Sequence, residues 1–75
     1  MERYKNIGGN SSVVAFEIGE GSIVIDFSDG SRYLYTSQSA GASALAEMQR
    51  RAVAGRGLNS YVSRFVRKGY ARRLR

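Results

Sequence analysis

The chain has no cysteine, no histidine and no proline, and residues 48–75 contain no acid. Without cysteine there is no disulfide framework and no thiolate metal site. Without histidine the common zinc sites and the commonest general base are also missing, as is the usual activator of a nucleophilic serine. Six carboxylates remain, Glu2, Glu17, Glu20, Asp26, Asp29 and Glu47, and no two of them suggest an acid–base couple. An enzyme is therefore not expected, nor a metal or other cofactor. The catalytic alternative is a small endoribonuclease working through arginine, lysine and tyrosine. No apolar run approaches the length of about 18 residues that a membrane span needs. The opening stretch MERYKNIGGN lacks the apolar centre of a signal peptide. A cytoplasmic location without membrane contact is the expectation.

What is present is arginine, and it is unevenly placed. Of twelve basic residues ten are arginine, and the chain carries a net charge of +6. Residues 1–47 hold all six acids and three basic groups (Arg3, Lys5, Arg32), a net −3. Residues 48–75 hold nine basic groups and no acid, a net +9. Such an asymmetry points to an anionic partner for the C-terminal half. A solvated face that keeps a small protein soluble is the plainer explanation. With 75 residues there is room for one domain, which buries only about 60% of the surface its unfolded chain exposes.

Strand patterns come first along the chain. Residues 1–11 form an irregular lead-in, because Gly8-Gly9-Asn10 breaks any pattern begun at Tyr4 and Ile7. Ser12 to Ile18 and Ser22 to Phe27 alternate as strands around a Glu20-Gly21 turn. A two-residue loop there pairs Ile18 with Ile23, Phe16 with Ile25 and Val14 with Phe27, all on one face. The next turn decides where Tyr33 and Tyr35 point. A two-residue Asp29-Gly30 loop turns both rings away from the isoleucines. A three-residue Ser28-Asp29-Gly30 loop pairs Ile25 with Tyr33 and Ile23 with Tyr35 on the core face. Gly30 fits either turn, but the longer loop takes Arg32 off the apolar face and is the cheaper arrangement.

Helix patterns follow. Ser37-Gln38-Ser39 offers N-caps, and Leu45, Met48 and Ala52 form a stripe in a helix that runs to Ala54. Glu47 sits four residues before Arg51, a helix pair. Gly55 is a C-terminal cap, and Gly57 loosens the connection. A second helix is expected from Leu58 or Asn59 to Lys68. Its core face is Leu58, Tyr61, Val62, Phe65 and Val66, and its opposite face is Arg64, Arg67 and Lys68. Gly69 ends it. The expected fold is an α+β domain: a three-stranded antiparallel β-meander followed by two α-helices packed on one face, spanning residues 12–70. Residues 71–75 are a basic tail.

From about Ser12 to Tyr70 the chain resembles the KTSC domain, found at the C-terminus of some lysyl-tRNA synthetases and alone in small bacterial proteins. One mark is a Tyr-x-Tyr after a strand and glycine turn, here Phe27-Ser28-Asp29-Gly30-Ser31-Arg32-Tyr33-Leu34-Tyr35. The other is a small-residue connection and a helix ending in basic-x-x-Tyr. It reads Ala54-Gly55-Arg56-Gly57-Leu58-Asn59-Ser60-Tyr61, then Arg67-Lys68-Gly69-Tyr70. The Val-Pro that often follows the Tyr-x-Tyr is Thr36-Ser37 here. The resemblance implies no catalytic residues; RNA binding has been suggested for the family.

Candidate phosphate contacts are Arg50, Arg51, Arg56, Arg64, Arg67, Lys68, Arg72 and Arg73, since cations on a shared surface displace counterions from a nucleic-acid backbone. Tyr70, among arginines past a glycine, is a candidate stacking ring. Tyr33 and Tyr35 are possible stacking rings if exposed; core packing is their alternative, and Tyr61 and Phe65 are assigned to the core. No glycine run matches a P-loop. The reading that follows is a nucleic-acid-binding module, RNA favoured, with an acidic protein partner as the alternative and a monomer or weak dimer as the assembly.

Overall fold

The computed structural model describes residues 1–7, 9, 11–66 and 68–75. Gly8 and Asn10, in the expected break of the lead-in, and Arg67 lie outside the described residues. Among the described residues the elements are β1 (Glu2–Arg3), β2 (Val13–Gly19), β3 (Ser22–Phe27), β4 (Arg32–Thr36), α1 (Ser37–Ala40), α2 (Ala42–Ala54), α3 (Leu58–Phe65) and β5 (Arg72–Arg73). The fold is α+β. The expected three-stranded meander with two helices is corrected to a five-stranded antiparallel sheet, in the order β1-β2-β3-β4-β5, with three helices. The two additional strands are each only two residues long. They are drawn from the segments expected as an irregular lead-in and a basic tail, and they close the open edges of the meander. Unpaired strand edges leave backbone groups to solvent or to other chains, so short covering strands are a common answer.

The first hairpin pairs Ile18 with Ile23 and Phe16 with Ile25, as the alternation requires. Beyond Ala15 the register slips by one residue. Val13, not Val14, faces Phe27, so Val13 is buried and Val14 is exposed. A β-bulge of this kind redirects one side chain without ending the strand. The second hairpin has the three-residue loop. The Phe27 N–H donates to the Ser31 carbonyl at 2.9 Å, Gly30 has φ 91°, and Ile25 pairs with Tyr33 and Ile23 with Tyr35. Asp26 then meets Arg32 on the outer face, where the guanidinium donates to both carboxylate oxygens.

The helical segment after β4 is divided. Thr36, one residue before the expected caps, is the N-cap of α1. Its hydroxyl accepts from the Ser39 N–H at 3.1 Å, and the Ser39 hydroxyl accepts from the Thr36 N–H at 2.9 Å. This reciprocal pairing satisfies two helix-end donors. Gly41, at φ 98°, separates α1 from α2. Leu45, Met48 and Ala52 are buried along one face of α2, and Gly55 closes it in the left-handed conformation. The side chain of Gln49 donates to the Ser22 carbonyl at 2.9 Å, fixing α2 to the first hairpin.

The core lies between the helices and one face of the sheet. Phe16, Ile23, Ile25 and Tyr35 meet Met48, Leu58, Val62 and Val66. The lead-in contributes to it as well. Tyr4 is 4% exposed, and its hydroxyl accepts from the Leu58 N–H at 3.2 Å. That N–H opens α3 behind Gly57, a residue with no side chain to cap it. The Ile7 N–H donates to the Gly55 carbonyl at 2.7 Å. Residues 4–7 therefore bridge from the β2 edge to the connection between α2 and α3. Replacing Tyr4 by Phe keeps the ring but leaves a buried N–H unpaired. Urea denaturation should show a loss of about 1–3 kcal/mol with an unchanged m-value. An unchanged midpoint would mean that the lead-in is not part of the core.

Candidate nucleic-acid interface

The basic C-terminal segment is placed by β4. The Ala71 N–H donates to the Leu34 carbonyl and the Leu74 N–H to the Arg32 carbonyl, both at 2.7 Å. The register sets Arg73 opposite Tyr33 and Arg72 opposite Leu34. Because side chains alternate, Arg73 shares the face of Tyr33, and its guanidinium stands 5.6 Å from that ring's centroid. Arg75 turns inward along the edge: its Nε donates to the Gly30 carbonyl at 3.1 Å, and Nη2 lies 3.7 Å from Asp26 Oδ2. The segment expected as a free tail is thus a strand with defined neighbours.

Tyr70 precedes this strand and packs onto the Tyr-x-Tyr. Its ring centroid lies 4.7 Å from that of Tyr33 and 6.3 Å from that of Tyr35, while Phe27 meets Tyr33 edge-on at 5.8 Å. Aromatic pairs in these tilted and edge-on arrangements stabilise by about 0.5–1.5 kcal/mol beyond their buried area. Tyr35 is 2% exposed, which removes it from the possible stacking rings. Tyr33 is half-buried. Tyr70 stays 39% exposed, open to a ligand on one side and packed on the other.

The remaining candidates separate along α3. Near its start, Arg50 and Arg51 both bind the Glu47 carboxylate, which holds Glu47 down at about 2. Arg51 also donates to the Gly57 carbonyl at 3.2 Å and lies over the Tyr61 ring at 4.9 Å. These two arginines are engaged within the chain. Arg56 is exposed between α2 and α3. At the other end, α3 stops at Phe65, so the expected helix to Lys68 is corrected. Val66 is its C-cap, and Lys68 lies beyond it. Arg64 and Lys68 nevertheless line a common groove with Phe65 and Gly69. Arg67 lies outside the described residues. Among the described residues, Arg64, Lys68, Arg72 and Arg73 have no Asp or Glu carboxylate within 4.0 Å, though Arg73 Nε donates to the Arg75 backbone oxygen at 3.2 Å.

Phe65, expected in the core, is 68% exposed. The inward stripe of α3 is Leu58, Val62 and Val66. Phe65 lies beside that stripe, stacked on Tyr61 with centroids 5.0 Å apart. Helical spacing brings both stripes together and does not by itself say which one meets the sheet. An exposed ring between Arg64 and Lys68 was therefore missed.

Among the described residues no helix is long and apolar enough to cross a membrane, and no group of three acidic side chains is arranged to hold a metal ion. Comparison with protein-family models, with curated proteins and with solved structures finds no match.

Burial pushes the Tyr35 hydroxyl up to about 12 from an ordinary 10.0, with Tyr33 and Tyr70 adding to the shift. The folded state keeps a proton that the unfolded chain releases above pH 10. The stability tied to it is full below the ordinary value and falls as pH rises toward about 12. Ultraviolet titration should show a late-ionising tyrosine component, together with the loss of the fold. Five tyrosines titrating together near 10, with the fold intact, would contradict the packing of Tyr35.

Proposed function

We propose that the chain is a small nucleic-acid-binding module, RNA favoured, that holds phosphates on Arg64, Lys68, Arg72 and Arg73, with Tyr70 as a stacking ring. One observation carries the reading: the basic segment docks as the edge strand β5, which sets Arg73 on the face of Tyr33 near the exposed Tyr70 and Arg72 on the opposite face of the same edge. Arginine forks onto phosphate and stacks on bases, so a row of arginines next to aromatic rings suits a single strand. The excess of positive charge in residues 48–75 supports the same reading. Arg67 is included for its charge. Arg50 and Arg51 are not, because both are held on the Glu47 carboxylate. The resemblance to the KTSC domain is part of this proposal, and agrees with it in the RNA binding suggested for that family.

The test is a titration with single-stranded RNA across a salt series. Five phosphate contacts, Arg67 among them, predict a log K against log salt slope of about −3.5. Replacing Arg64 and Lys68 by alanine should make that slope shallower by about 1 to 1.5, and Arg50→Ala should leave it unchanged. No binding at low salt, or a slope near zero, would overturn the proposal. Capture of an acidic protein that survives nuclease treatment would then favour the alternative partner.

A further inference from the structure

Between the second hairpin, α3 and Tyr70 lies a cleft of about 340 Å³. Its walls are aromatic and aliphatic: Phe27, Tyr33, Tyr70 and Val62. The polar groups at its rim are of a different kind from the arginines outside. They are serine hydroxyls and the carboxylate of Asp29. Asp29 is held in place by Ser31, which is 5% exposed and donates its N–H at 2.9 Å and its hydroxyl at 2.6 Å to Oδ1. Among the described residues Oδ2 accepts no hydrogen bond, and Asp29 lines the cleft. Arg73 stands over Tyr33 on the side of β5. The cleft therefore has flat apolar walls and an acceptor among its lining residues, with the Arg73 cation outside it over Tyr33. Small-molecule sites combine such walls with a few placed polar groups, at volumes of about 300–1,000 Å³.

We infer that this cleft takes one splayed-out nucleobase, stacked on the exposed ring of Tyr70 with its amino group toward the Asp29 carboxylate and its phosphate toward Arg73 outside the cleft. The inference rests on the RNA-binding reading for its biological ligand. The carboxylate gives it a direction. A phosphate at that side meets like charge, whereas the exocyclic amines of adenine, guanine and cytosine donate to it. Uracil offers its N–H between two carbonyl oxygens that face the carboxylate unfavourably. Bases carrying an amine are thus preferred.

The test is chemical-shift titration of the whole chain with adenosine, cytidine and uridine 5′-monophosphates and with ribose 5-phosphate. The ring resonances of Tyr33 and Tyr70 and the Ser31 amide should move with the adenosine and cytidine nucleotides. They should move less with the uridine nucleotide and not with ribose 5-phosphate. Ser63 is exposed on α3 and lines the cleft, so Ser63→Trp should fill it without disturbing the core. That variant should abolish these shifts and weaken single-stranded RNA by on the order of tenfold, the worth of one base–aromatic stack. Ser28→Trp, in the exposed turn, provides a second block if the first fails to fold. If RNA binds with its salt dependence while the nucleotides move none of these resonances and both blocked variants bind like the parent, the cleft is wrong and the RNA reading stands. If nucleotides bind but oligonucleotides do not at low salt, the cleft stands without that reading. Equal response to ribose 5-phosphate would overturn it in favour of a phosphate site.

Discussion

Strand β4 would leave the sheet with an open edge, and the packing of Tyr70 onto Tyr33 and Tyr35 determines how that edge is covered. Two residues of strand pairing contribute little by themselves. The aromatic contact holds Tyr70 against β4, and the backbone bonds of Ala71 and Leu74 fix the register of the residues that follow. The positions of Arg72, Arg73 and Arg75 follow from that register. So does the cleft, since Tyr70 is one of its walls. Scaffold and candidate site thus share one set of rings.

That contact depends in turn on a loop. With three residues between Phe27 and Ser31, Tyr33 and Tyr35 face the helices and Arg32 faces outward to Asp26. A loop shorter by one residue would have reversed each of these, because the side-chain period of a strand is two. Asp29 takes part on both sides of this arrangement. Its carboxylate accepts from Ser31 within the turn and also borders the cleft.

Local chemistry was legible in the residues. Glycine turns, the alternation of β2 and β3, the cheaper three-residue loop, the Leu45–Met48–Ala52 stripe and the cap at Gly55 are decided within a few positions. What was not legible is decided by distant partners. Glu2–Arg3 and Arg72–Arg73 are strands only because β2 and β4 offer them edges. Tyr4 is core only because Leu58, 54 positions away, needs an acceptor. The bulge that exchanges Val13 for Val14, and the exposure of Phe65, depend on which side chains the packed partner covers. Of the candidate site, the charge of the C-terminal half was plain in the sequence. The Glu47–Arg51 pair was plain in the helical spacing; that Arg50 shares its carboxylate, and that Tyr70 stacks on the Tyr-x-Tyr, required the fold.

The central claim is that the docked C-terminal segment and its aromatic support form one nucleic-acid face. Chemical-shift mapping with a pool of single-stranded RNAs tests it most directly, because binding and location are read together. The expected map centres on Tyr70, Arg72 and Arg73, extends to Arg64 and Lys68, and leaves Arg3, Lys5 and Arg50 unmoved. Perturbations gathered around Arg3, Lys5 and Arg50 instead, or none at low salt, would contradict it.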